Sequence, residues 1–118
     1  MTEQKKQEMR LALQEAAIVI IAECGLEQVT TKELTLRANT SNEVYIYRLF
    51  RDKTDLLVTT FETLDRELVE SISTHLDIMR DESLTMDVRC FRIFCGVWRY
   101  ILSNRQRCSA FMQYYYCP

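Results

Sequence analysis

Punctuation is what this sequence lacks most. Its 118 residues include two glycines and one proline, and the proline is the last residue. Hairpins and tight turns need residues that accept positive φ or preset it, so a chain this poor in both reads as all-α, with turns confined to a few helix ends. Long apolar runs are missing as well. None reaches the roughly 18 residues that a membrane span needs, and the opening MTEQKKQEMR is charged where a secretory leader would be apolar. A cytoplasmic chain without a membrane partner is the expectation. The five cysteines, Cys24, Cys90, Cys95, Cys108 and Cys117, form an odd set with no CxxC pair. That spacing suggests neither a disulfide framework nor a thiolate zinc site, and buried, reduced thiols are expected. His75 is the only histidine, and no nucleophile–base pair, glycine-rich phosphate loop or metal-ligand spacing accompanies it. Neither an enzyme nor a cofactor or metal is expected.

The apolar content, 47%, suits a domain built round a core, and the net charge is −2. That charge is unevenly placed. Residues 57–87 hold eight acids against two arginines, residues 88–118 hold five arginines and no acid, and residues 30–56 are nearly balanced. Any attraction to nucleic acid must therefore come from a few placed groups.

Apolar positions Met9, Leu13, Ala16, Ala17, Ile20 and Cys24 follow one helical face and predict a helix over Met9–Cys24, closed by Gly25. Thr30 or Thr31 caps a second helix to about Ala38, with Glu33 at capping-box spacing from Thr30. After the polar break Asn39-Thr40-Ser41-Asn42, a third helix is capped by Ser41 or Asn42. Val44, Tyr47 and Leu49 or Phe50 point inward in that helix, and Glu43, Tyr45 and Arg48 point out. Asp52 caps a long fourth helix with an acidic outer face, its stripe of Leu56, Leu57, Thr60, Leu64, Leu68 and Ile72 reaching to about His75 or Met79. A loop at 81–84 leads to MDVRCFRIFCGVWRYIL, apolar on most of its circumference and so expected to be buried on more than one side. A last helix begins at Ser103 or Asn104.

Three short helices, the second and third joined by a short turn, make a helix-turn-helix arrangement; the alternative is an ordinary corner of an all-α domain. In the DNA-reading version the third helix lies in the major groove. Thr30 and Thr31 then hold one phosphate, while Tyr47, Arg48 and Lys53 hold the other strand.

The segment EAAIVIIAECG resembles the first helix of TetR-family transcriptional regulators, with Ala16, Ala17, Ile20, Ile21, Ala22 and Gly25 in the family's register. IYRLFRDKTDLL is similar to the family's signature at Ile46, Tyr47, Phe50, Lys53 and Leu56, and Thr30, Lys32, Glu33, Leu34 and Ala38 follow its second-helix pattern. The resemblance covers about residues 9–57. It implies a helix-turn-helix DNA-binding domain over 1–56, then a long connecting helix and an incomplete helical effector and dimerisation domain over 57–118. The implied function is that of a ligand-responsive repressor that leaves double-stranded operator DNA when a small-molecule effector binds. On this resemblance Thr30, Tyr47 and Lys53 contact phosphates, and Asn42, Glu43, Tyr45 and Arg48 belong to the stretch facing bases. A pocket between the later helices would draw on Phe91, Phe94, Trp98, Phe111 and Tyr115, whose alternative role is plain core. The family's regulators are homodimers, but their dimer helices lie beyond the length seen here, so the chain reads as a truncated regulator.

The turn departs from the family pattern: Ala-Gly-Val-Ser becomes Ala38-Asn39-Thr40-Ser41, and Ser41 stands one residue too far from Tyr47. Either the turn is longer or the second helix is out of register by one. The other functional reading is a helical protein-interaction module that keeps the fold without operator binding.

Overall fold

The computed structural model describes residues 2–40 and 43–116. Six helices follow in order: α1 (Glu3–Cys24), α2 (Thr31–Arg37), α3 (Val44–Leu49), α4 (Lys53–Leu76), α5 (Met86–Ser103) and α6 (Arg105–Tyr116), with short 3₁₀ turns at Leu26–Gln28 and Asp77–Arg80. No strand occurs among the described residues.

Local chemistry sets most of these boundaries. The Thr2 hydroxyl accepts from the Lys5 amide and starts α1 well before Met9. The Thr30 hydroxyl accepts from the Glu33 amide at 3.1 Å, so the expected cap of α2 is in place. Glu33 does not complete the box; its carboxylate turns to Arg37. At the start of α4 the Asp52 carboxylate accepts from the Asp55 amide at 2.8 Å, and Asp55 accepts in turn from the Arg51 amide. Gly25 ends α1 at φ 100°, where a side chain would be strained.

The end of α2 is a Schellman turn. The Asn39 amide donates to the Leu36 carbonyl and the Thr40 amide to that of Thr35, with Asn39 in the left-handed region at φ 56°. Asparagine tolerates that conformation better than any residue except glycine. Asn39 thus does the work of the glycine in the pattern it departs from. Since α2 starts and stops where expected, its register is sound, and the extra residue falls between α2 and α3. Ser41, offered as a cap for α3, lies outside the described residues; the position before α3 is held by Glu43, which makes no side-chain cap.

One core spans the chain. Leu13, Ala17, Ile20 and Ile21 of α1 pack with Val29, Leu34, Ile46, Phe50, Leu56, Phe61, Leu64 and, from α6, Ala110. No gap in this core marks residue 56. Beyond Leu64 only Gly96 and Ala110 are buried among the described residues. The radius of gyration is accordingly large, 17.6 Å against about 13.5 Å for a compact chain of this length.

Three expectations fail here. In α3 the inward residues are Ile46 and Phe50, whereas Val44 and Tyr47 are exposed and Tyr45 is half-buried. A helix of six residues makes less than two turns, so contact with α1 chooses its buried side. The α5 helix is not buried on several sides: Phe91, Phe94 and Trp98 are 66%, 64% and 52% exposed. Nor are the cysteines uniformly buried. All four described ones are free, with Cys24 and Cys90 exposed and Cys95 and Cys108 partly covered; Cys117 lies outside the described residues.

Two contacts fix the later helices. Gly96 lets α5 come so near α4 that a Cβ there would lie 2.6 Å from His75 Nδ1. Arg107 of α6 bonds Glu67 of α4 through Nε and Nη2, both at 2.7 Å, and Glu15 of α1 through Nη1 at 2.6 and 2.8 Å. With both carboxylates beside it and Glu67 the stronger influence, its guanidinium is held protonated well above the ordinary arginine value.

Candidate nucleic-acid interface

The helix on which DNA contact was expected, α3, is held from behind. Ile46 and Phe50 sink into the core, the Arg10 guanidinium of α1 donates to the Leu49 carbonyl, and its carbon stands 4.5 Å from the centre of the Phe50 ring. That cation over an aromatic face also satisfies one of the free carbonyls at the end of α3. Arg37 fixes α2 to α1 in the same manner, reaching Glu23 at 3.0 Å and Glu33 at 3.1 Å. Those two carboxylates raise its already high pKa. The contacts that Arg10 makes with Leu49 and Phe50, and Arg37 with Glu23 of α1, went unforeseen, because nothing in local spacing pairs residues so far apart in the chain.

On the outer side, Tyr47 is 58% exposed, and Arg48 and Lys53 are exposed too. Neither cation joins an ion pair among the described residues; Arg48 only approaches the Tyr45 ring, at 5.9 Å. Lys53 opens α4, where a positive charge opposes the helix dipole. Its own helix gains nothing from it there. Thr30 is exposed but its hydroxyl is engaged as the α2 cap, while the half-buried Thr31 donates to the Glu43 carboxylate at 3.2 Å. The beginnings of α2 and α3 are thus joined through Thr31 and Glu43. Asn42 lies outside the described residues.

A helix fixed on its inner side, with a tyrosine and cations turned outward, presents the kinds of group that can meet phosphates. Over the whole chain, two solved structures match closely. One is a TetR-family transcription regulator from Marinobacter aquaeolei, with a TM-score of 0.77 at 19% identity over 96% of this chain. The fold is that of TetR-family regulators. A second, from Haemophilus influenzae, gives a TM-score of 0.75 at 20% identity over 97% of the chain. The TetR-like chain spans 56% and 60% of the length of these two proteins. No protein-family profile matches the sequence, and no curated protein does either.

The residues expected to line a pocket divide. A cleft of about 400 Å³ opens between α4, α5 and α6 of this TetR-like fold, walled by Leu64, Leu68, Tyr100, Ile101, Phe111 and Met112, with Arg105, Arg107 and Cys108 at its margin. Burial raises the pKa of the Tyr100 hydroxyl and the Cys108 thiol, which keeps both neutral. Of the five expected aromatics only Phe111 lines it. Tyr115 lies tilted against Phe111 beside a smaller cleft with Phe61 and Tyr114, and Phe91, Phe94 and Trp98 are exposed on α5. Aromatic content signalled the region; the aliphatic wall carried no such signal.

Among the described residues no cluster of His, Cys, Asp and Glu could hold a metal ion, and no helix is long and apolar enough to cross a membrane.

Proposed function

We propose that this chain is the DNA-binding part of a cytoplasmic transcription regulator. In this reading α3 enters the major groove of double-stranded operator DNA, Tyr47, Arg48 and Lys53 hold phosphates, and Glu43, Tyr45 and the Asn42 region face base edges. Thr30 and Thr31 border the adjoining strand. The observation that carries the proposal is the two-sidedness of α3: Ile46 and Phe50 are buried, while Tyr47, Arg48 and the neighbouring Lys53 are exposed, on a fold shared with regulators. The apolar cleft of about 400 Å³ is large enough for a small organic effector, whose binding would make the protein a ligand-responsive repressor. Residues 1–56 are the reading unit and 57–118 belong to the sensing unit of a protein that acts as a homodimer.

The test is duplex-DNA binding followed by fluorescence anisotropy across a salt series. At a net charge of −2 the affinity has to come from local contacts, so one lost contact is visible. Lys53→Ala weakens binding equally on all sequences and lowers the logarithmic salt slope by about one. An unchanged slope would sink the Lys53 assignment. A second reading, an interaction module without operator binding, is favoured by the uncovered aromatic face of α5; absence of any salt-dependent DNA binding would select it.

A further inference from the structure

The outward side of α3 is not wholly polar. Val44 is 42% exposed. By helical geometry it stands about 160° round the axis from the buried Ile46 and about 40° from Arg48, which lies one turn further on. The apolar residues that tie α3 to the core are Ile46 and Phe50, with Leu49 packed against that core, and Val44 is not among them. A β-branched residue is also one of the weaker helix formers, so neither core packing nor propensity accounts for a valine here. Single apolar residues at a surface are common. What sets Val44 apart is that it shares its side of a short helix with the groups proposed to meet DNA.

We propose that Val44 reads the C5 methyl group of a thymine in the major groove and so fixes one base of the sequence this protein prefers. The inference rests on the DNA-binding reading above and adds a specificity-determining residue to it. Base edges in the major groove offer hydrogen-bond donors and acceptors, which a valine side chain cannot answer, and one apolar feature, the thymine methyl, which it can. Arg48 and Lys53 carry charge, and a phosphate attracts charge alike on every sequence. Discrimination has to come from a group that is indifferent to phosphates. The isopropyl group of Val44 meets that condition, and in a helix it keeps one dominant rotamer. Its two methyls are therefore in place before the base arrives, and little side-chain freedom is lost on contact.

Uracil is thymine without that methyl, so the test removes one group of the DNA at a time. Duplexes preferred by the full chain are selected from a randomised library, each thymine is then replaced singly by uracil, and binding is followed by fluorescence anisotropy. One replacement is expected to weaken binding about fourfold, the equivalent of one buried methyl group. Val44→Ala is expected to abolish the difference at that thymine and to leave the logarithmic salt slope, which counts phosphate contacts, where it was. Alanine is the better helix former, and unchanged melting confirms that the variant is folded. A thymine–uracil difference that survives in Val44→Ala, or selected duplexes in which no thymine is sensitive to replacement, overturns the inference while leaving DNA binding intact. No salt-dependent binding to any duplex overturns both the inference and the reading on which it rests.

Discussion

Replacing Arg107 with methionine keeps the apolar stem and deletes a charge shared by three helices. The two arms of that contact differ. The Arg107 side chain is 22% exposed and Glu67 36%, while Glu15 is 55% exposed. A charge-assisted bond in partial burial contributes about 1.5–3 kcal/mol and an open surface pair about 0.2–1. Taking the low end for the bidentate Glu67 arm and the middle for Glu15 gives about 2 kcal/mol for the whole contact. At about 2.1 cal/mol/K per residue this lowers the midpoint of thermal unfolding by about 8 °C. Circular dichroism at 222 nm measures it, and a double-mutant cycle apportions it: coupling of Arg107→Met with Glu67→Gln exceeds about 1 kcal/mol, and with Glu15→Gln stays near 0.5. A drop below about 2 °C, or equal coupling to both glutamates, would refute the assignment of unequal arms. The pH sign follows from the direction of the shift. Because the folded-state pKa of Arg107 is raised, its contribution is complete below the unfolded value and is lost only as pH rises through the folded one. The stabilisation is therefore the same at pH 7 and pH 10.

Two other predictions concern single positions. Asn39→Val puts a β-branched residue at φ 56° and costs about 1–2 kcal/mol, whereas Asn39→Gly changes urea-unfolding stability by only a few tenths; equal effects would argue against the left-handed turn. Under native alkylation with iodoacetamide, Cys24 and Cys90 react first and Cys108, partly covered and with a raised pKa, reacts slowly. Mass spectrometry finding Cys108 labelled first would contradict its placement at the cleft margin.

What the sequence made legible was local. The caps at Thr30 and Asp52, the inward face of α1 from Leu13 to Ile20 and the stop at Gly25 depend on residues a turn apart, and each is where the spacing placed it; Cys24, expected on that face, is exposed. The third helix was misjudged because six residues hold too little of a 3.6-residue period to show a side. The fifth misled for the opposite reason: it is apolar almost all round, so only its neighbours decide which side is covered. The Arg107 contact joins residues 40 and 92 positions apart, a distance no periodicity reaches. For the candidate site, Tyr47 and Lys53 stood out through their register with Phe50, yet the aliphatic wall of the cleft looked like ordinary core.

The contact of Gly96 with His75 has a mechanical side. Helix α4 is a single rod of 24 residues, about 36 Å long, with Lys53 at one end and His75 near the other. A methyl group at position 96 would press on the His75 imidazole, so either that ring swings out or the far ends of α4 and α5 part. Glycine at 96 is thus the clearance that lets a histidine ring serve as the spacer between two rods.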